Sequence, residues 1–291
     1  MCTLWNKKQE ENFFRKSLEL AAPEKLFYIT KDGKSYAYWP KNYKGPKATL
    51  QSRNALIGSY TEKWCSKLFK EIAEAVDAYP VTGVICEEIG LTRKSPADVA
   101  ICRTEDIIQK PQNILLIFEV KMSIIWNWEL VFKDEHSFDL ICIGDYKTHQ
   151  GNPSLLRSDT MLKAIGKSIN IRISSLLSSK IPIIVIGNSP INISYYKKAD
   201  QLRSSGIIQG FWSVNPNPLD DNNANIKSTF YNGFYTFDSY EELKQKTFDL
   251  LNEDREFFSG MQSKKRLGEI IEIADKELTY EQKALCFLKL I

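Results

Sequence analysis

Ser95-Pro96-Ala97-Asp98-Val99-Ala100-Ile101-Cys102 and, after the connection at 103–113, Ile114-Leu115-Leu116-Ile117-Phe118-Glu119-Val120-Lys121 decide how this chain is read. Both stretches have the short apolar character of β-strands bounded by polar punctuation. Side chains alternate faces along a strand, so Glu119 and Lys121 point one way while Phe118 and Val120 point the other. An acid and an amine beside so apolar a run cost several kcal/mol to bury unless they pair or hold a metal. Asp98 opens the first strand, and antiparallel pairing across the short connection brings its carboxylate beside Glu119. Two carboxylates and one amine are expected to converge.

That convergence suits metal-assisted hydrolysis of a phosphodiester. Asp98 and Glu119 are hard oxygen ligands for Mg²⁺, and the Val120 backbone carbonyl supplies a further ligand. Lys121 is the amine that orients or helps deprotonate the attacking water, or holds the transition state electrostatically.

Composition sets the frame. The 291 residues are 43% hydrophobic and 26% charged, which excludes wholesale disorder and fits one large domain or one domain with an appendage. A net charge of +3 is too small to declare a polyanionic partner, so local charge has to decide. Six cysteines form no CxxC pair and mostly sit in apolar runs, which reads as a reducing compartment. Two histidines, His136 and His149, argue against zinc chemistry built on several imidazoles. No stretch approaches the roughly 18 apolar residues of a membrane span, and the N-terminus lacks an apolar signal core, so a cytoplasmic protein is expected.

Outward from the decisive stretch, helical spacing runs over 12–20 and 59–78, the latter with Tyr60, Trp64, Leu68, Ile72 and Val76 on one stripe. Between them Leu26–Thr30 and Tyr36–Trp39 flank Asp32-Gly33, a hairpin signal. Residues 40–53 hold Lys41, Lys44, Lys47 and Arg53 with no acid and are expected as an exposed basic loop. From Val81 to Pro216 strand-like runs at 83–88, 98–102, 114–122, 138–143, 181–186 and 207–214 alternate with helical ones at 158–177 and 195–204, the pattern of an α/β domain. Residues 215–226 are rich in Pro, Asn and Asp and mark a loop or edge, and 239–291 read as helices opened by a capping box at Ser239.

Pro96-x-Asp98 followed by Glu119-x-Lys121, with this order of helices and strands, resembles the PD-(D/E)XK nuclease superfamily over about residues 55–214. The resemblance implies a restriction-endonuclease-like core, a central mixed β-sheet of about five strands flanked by helices. Residues 1–54 are then an N-terminal helix, hairpin and basic loop, and 215–291 a loop and helical C-terminal extension. It also implies an auxiliary acid on the helix before the core strands. Glu62 matches that position best, and Glu87 and Glu88 compete for the role.

Stand-alone and decorated outside its core, the chain is most similar to a type II restriction endonuclease. That likeness implies Mg²⁺-dependent, sequence-specific cleavage of double-stranded DNA by a homodimer, a cognate DNA methyltransferase encoded nearby, and a bacterial or archaeal cytoplasm. The alternatives are a structure-specific repair or recombination nuclease of the same superfamily and a catalytically inactive DNA-binding module. For base readout the segment after the catalytic strands has the right residue types: Arg157 suits guanine, Asp159 a cytosine amine, Gln150 or Asn152 adenine, with Ser158 and Lys163 beside them. Ser158 or Asp159 capping a helix, and Lys163 and Lys167 merely solvated, is the competing reading. Lys41, Lys44, Lys47 and Arg53 suit phosphate contacts. Trp126 and Trp128 read as core or dimer contacts, and His149 as a loop histidine or an assistant to catalysis.

Overall fold

In a computed structural model of the chain, Asn6 opens the first helix by accepting hydrogen bonds from Lys8 N and Gln9 N through its side chain, and α1 runs Lys7–Leu18. The residues described are 3–46, 49–134, 137–220, 226–253, 257 and 262–291, so Lys47 and His136 lie outside them. A short α2 (Pro23–Leu26) leads into the hairpin expected around Asp32-Gly33, β1 (Tyr28–Ile29) pairing antiparallel with β2 (Ser35–Tyr36). Gly33 sits there at φ 80°, a left-handed conformation that glycine adopts without a Cβ penalty. The helical stripe at 59–78 is longer than its spacing predicts and broken: α3 covers Gln51–Leu68 and α4 Lys70–Glu74, with Phe69 between them.

The core strands follow as β3 (Tyr79–Val84), β4 (Ala97–Cys102) and β5 (Ile114–Val120). All but Leu115 of β5 is buried, as the uninterrupted apolar run requires of a central strand. β6 (Asn127–Phe132) and β7 (Phe138–Gly144) come next, then α5 (Ser158–Ser174), β8 (Ile183–Gly187), α6 (Tyr196–Ser204), β9 (Gly210–Ser213), β10 (Phe234–Thr236) and α7 (Tyr240–Asn252). Residues 1–253 form one compact unit. Residues 254–291 form a second, the helix pair α8 (Lys264–Ala274) and α9 (Tyr280–Leu290), each opened by a side-chain cap, at Ser263 and Thr279. Among the described residues no helix is long and apolar enough to cross a membrane.

The fold is α/β, with a mixed six-stranded sheet in the order β10-β9-β8-β5-β4-β3 and a four-stranded antiparallel sheet in the order β1-β2-β6-β7. β5, β8, β9 and β10 are mutually parallel, while β4 runs antiparallel to both β5 and β3. Two strand expectations are corrected. The run 138–143 is not in the core sheet: it pairs antiparallel with β6 and so joins the hairpin strands in the second sheet. The run 83–88 is a strand only to Val84, because Glu87–Ile89 forms a 3-10 turn that leaves both glutamates exposed. A sixth strand, β10, comes from beyond 214: Asp200 of α6 accepts hydrogen bonds from Thr229 Oγ1 at 2.6 Å and Gly233 N at 2.9 Å, which fixes the turn feeding it.

The two faces of the core sheet carry different helices. Val99, Ile101, Leu116 and Phe118 pack with Ile57, Cys65 and Leu68 of α3, and Phe69 stacks on Phe118 at 4.0 Å between centroids. Ala100 and Ile117 on the other face pack with Ile171 of α5. Asp98 and Glu119 share the alternation of Ala100 and Ile117, so their carboxylates emerge on the α5 side.

Candidate active site

Antiparallel register pairs Val99 with Phe118, which places Asp98 opposite Glu119, as the sequence predicts. The Asp98 carboxylate is fixed by Val120 N, which donates to Oδ2 at 2.8 Å. Lys121 Nζ donates to Asp98 Oδ2 at 2.9 Å, Glu119 Oε2 at 3.1 Å and Val120 O at 3.3 Å. The ammonium therefore sits at the point on which the three nominated oxygens converge.

A second amine completes the cluster, and sequence reasoning missed it. Lys167, which enters the sequence reading only as a solvated side chain in the competing account, reaches from α5 to Glu119 Oε1 at 2.5 Å, Asp98 Oδ1 at 3.2 Å and the Pro96 carbonyl at 2.5 Å. Its signal is the pairing of α5 with the face that carries the carboxylates, a tertiary fact absent from local sequence. Glu119 is fully buried, and its Oε1 meets Lys167 as an ion pair but makes no bond of hydrogen-bond geometry.

The field inside follows from these contacts. Burial works against the Asp98 carboxylate, but Lys121 and Lys167 outweigh it and hold the group below its ordinary range. Glu119 moves the other way, because deep burial and the neighbouring Asp98 charge exceed what the two ammoniums return. Lys121 is raised: burial disfavours its charge, and Asp98 and Glu119 more than restore it. Glu62 enters from α3 on the opposite layer, half-buried, and burial followed by Asp98 raises its carboxyl. Glu62, rather than exposed Glu87 or Glu88, thus shares the electrostatics of the centre.

Backbone contacts position the end of β5. Lys121 N donates to Ile186 O at 2.7 Å, and Ser154 Oγ donates to Lys121 O at 2.7 Å. Asn188 joins this frame by accepting from Ser123 N at 3.1 Å and donating to Ser123 O at 2.7 Å. Gly187 is required beside it, since a Cβ there would collide with Leu155 and Ser154.

The donor set fits Mg²⁺. Among the described residues no three of His, Cys, Asp and Glu gather as a metal group. Two carboxylates and a carbonyl are nevertheless the sparse hard-oxygen set that Mg²⁺ accepts, retaining waters for the other positions. Asp98 Oδ2, Glu119 Oε2 and Val120 O, gathered within 3.3 Å of the Lys121 amine, are the oxygens such an ion would use.

The nucleic-acid candidates separate. Arg53 is corrected: it is not in an exposed loop but buried in α3, donating to Leu26 O and Ala37 O between the rings of Tyr28 and Tyr38. Gln150 is likewise turned inward, its amide donating to Pro40 O, Lys41 O and Tyr43 O, so it braces the basic loop. Lys41 and Lys44 are exposed, with Lys41 Nζ donating to Lys147 O at 3.2 Å. Asn152, Arg157, Ser158 and Lys163 are exposed too, and Arg157 pairs with Asp159. Neither Ser158 nor Asp159 caps α5, which starts from Arg157 without a side-chain cap. Trp126 and Trp128 are core. His149 is buried: Gly151 N donates to Nδ1 at 3.0 Å, so Nε2 carries the proton and donates to Ile125 O at 3.0 Å.

No family model, curated protein or solved structure matches this chain.

Proposed function

We propose that this chain is a Mg²⁺-dependent endodeoxyribonuclease of the PD-(D/E)XK type, a type II restriction endonuclease that cuts double-stranded DNA as a homodimer. The observation that carries the reading is the convergence of Asp98, Glu119 and the Val120 carbonyl on one point, with the Lys121 amine at that point. When bound, Mg²⁺ supplies Lewis-acid stabilisation of the charge that develops on the phosphate. Asp98, Glu119 and Val120 O would hold it, and Lys121 would orient the attacking water and offset negative charge at the phosphorus. Water adds to phosphorus as one P–O ester bond breaks, Glu62 on the helix before the core strands takes the proton the water releases, and the departing oxygen takes one from solvent. Exposed Lys41 and Lys44 suit phosphate contacts, and Asn152, Arg157, Ser158, Asp159 and Lys163 suit base edges.

The restriction role further implies a cognate methyltransferase encoded nearby and a bacterial or archaeal cytoplasm. Assorted plasmids incubated with the purified chain and Mg²⁺ test the activity: discrete fragments are expected, lost in Asp98→Ala. Absence of cleavage, or cleavage unchanged by that substitution, overturns the reading.

A further inference from the structure

Resting on that reading, we propose that Ser154 is a positioning residue: its hydroxyl holds the Lys121 backbone from the segment that would meet base edges, so cleavage depends on a contact that DNA affinity does not. The observation is a rung of the sheet that the two strands do not make themselves. β5 and β8 run parallel, with Glu119 opposite Val185 and Val120 opposite Ile186. The register continues to Lys121 opposite Gly187, and Lys121 N donates to Ile186 O at 2.7 Å. In a parallel ladder the return bond runs from Asn188 N to Lys121 O. In its place Asn188 N donates to Ser154 Oγ at 3.1 Å, and Ser154 Oγ donates to Lys121 O at 2.7 Å. The hydroxyl is thus inserted between the strands where β5 ends, beside the carboxylates and lysines of the cluster.

The surroundings are shaped for that insertion. A Cβ on Gly187 would lie 2.4 Å from Leu155 Cγ and 2.9 Å from Ser154 Oγ, so only glycine there leaves room. Ser154 is buried and takes φ 51°, a left-handed conformation that residues other than Gly, Asn and Asp rarely adopt. Ser154 N donates to Ser123 Oγ at 2.7 Å, and Ser189 Oγ donates to Pro153 O at 3.2 Å, so the strained turn is gripped from two sides. Such strain persists where the surroundings over-determine it, and it concentrates at functional sites. The same turn carries exposed side chains proposed for DNA. Asn152 precedes Ser154 by two residues, and Arg157, whose N donates to Ser154 O at 3.3 Å, follows it by three. One turn and one hydroxyl therefore join that segment to Lys121.

Two substitutions separate the hydroxyl from the strain. Ser154→Ala removes the hydroxyl and keeps the strained backbone, whereas Ser154→Gly removes both, so the Gly variant is expected to melt higher than the Ala variant. Single-turnover plasmid cleavage with Mg²⁺ is expected to slow by about thirtyfold in both, with the DNA concentration for half-maximal rate unchanged. A hydroxyl that merely stabilises the turn would instead let Ser154→Gly recover cleavage along with stability, and that result, or a wild-type rate in either variant, overturns the inference. If Ser154→Ala fails to fold, the rate of folded Ser154→Gly decides by the same criterion. Hydrogen exchange on the full chain without DNA gives a second arm. Amides of residues 119–126 are expected to exchange about tenfold faster in both variants, and unchanged exchange there overturns the inference whatever the cleavage result. No cleavage by the wild-type chain overturns the nuclease reading and with it the link to DNA, while the exchange arm still decides whether Ser154 holds the end of β5.

Discussion

Lys167 Nζ and Glu119 Oε1 lie 2.5 Å apart, an ion pair between a helix on one layer and the central strand of the core sheet. Glu119 is fully buried, and this pair with the Lys121 contact is what compensates its charge. The carboxylate–lysine cluster is therefore a structural joint between α5 and the sheet.

Removing one partner of a buried pair leaves the other charge uncompensated. Lys167→Met is expected to lower unfolding stability by about 3 kcal/mol in the absence of divalent ions. Urea unfolding with and without Mg²⁺ checks it, because an ion that binds only the folded chain restores part of the loss by mass action.

The proposed cleavage relies on the Lys121 side of the same carboxylates. Asp98→Ala and Lys121→Ala are each expected to cut plasmid cleavage by about a thousandfold with global fold retained. Single-turnover cleavage with circular dichroism on the same samples separates lost chemistry from lost structure.

Ile125, just past β5, is gripped by two titratable groups of opposite response. Glu10 accepts from Ile125 N at 2.8 Å, and from Trp126 N and Trp128 Nε1 at 2.9 Å each, and burial pushes its carboxyl up to about 7. His149 donates to Ile125 O, and burial pushes it down to about 4. Between the ordinary values of 4.5 for Glu and 6.5 for His, folded Glu10 holds a proton that the unfolded chain has released, so its contribution falls as pH rises. In the same window folded His149 lacks a proton that the unfolded chain has gained, so its contribution falls as pH drops. The two slopes cancel in the wild-type chain. Glu10→Gln is expected to expose a stability that rises by about 1.4 kcal/mol per pH unit across this window, and His149→Gln one that falls by a similar amount. Denaturant midpoints at several pH values provide the check.

Salt separates the two kinds of basic residue in 40–53. Lys44→Ala is expected to reduce the slope of log binding constant against log salt by about one while leaving folding stability unchanged. Arg53→Ala is expected to leave that slope alone and cost about 2 kcal/mol of stability, since it strands the Leu26 and Ala37 carbonyls. DNA binding across a salt series, with thermal melts, distinguishes them.

Much of the centre was legible because it rests on local rules. Strand alternation puts Glu119 and Lys121 on one face whatever surrounds them, and the short connection at 103–113 leaves antiparallel pairing as the economical way to place Asp98. The limits were equally physical. Residue type cannot distinguish a lysine facing solvent from one facing carboxylates, so Lys167 read as solvated, nor a phosphate-binding arginine from one clasping carbonyls, so Arg53 read as exposed. The β7 run has the same apolar alternation as a core strand, and only its partner β6 reveals that it belongs to the second sheet.

By itself the sequence determined the α/β alternation, the buried central strand, and the Asp98, Glu119 and Lys121 triplet, because period-two geometry and the cost of burying charge act within a few residues. Tertiary structure alone decided that Lys167 joins them, that Arg53 and Gln150 turn inward, and that β10 extends the sheet. Those outcomes depend on which helix covers which face and which strand finds an open edge, relations set by packing across the whole core rather than by any local pattern.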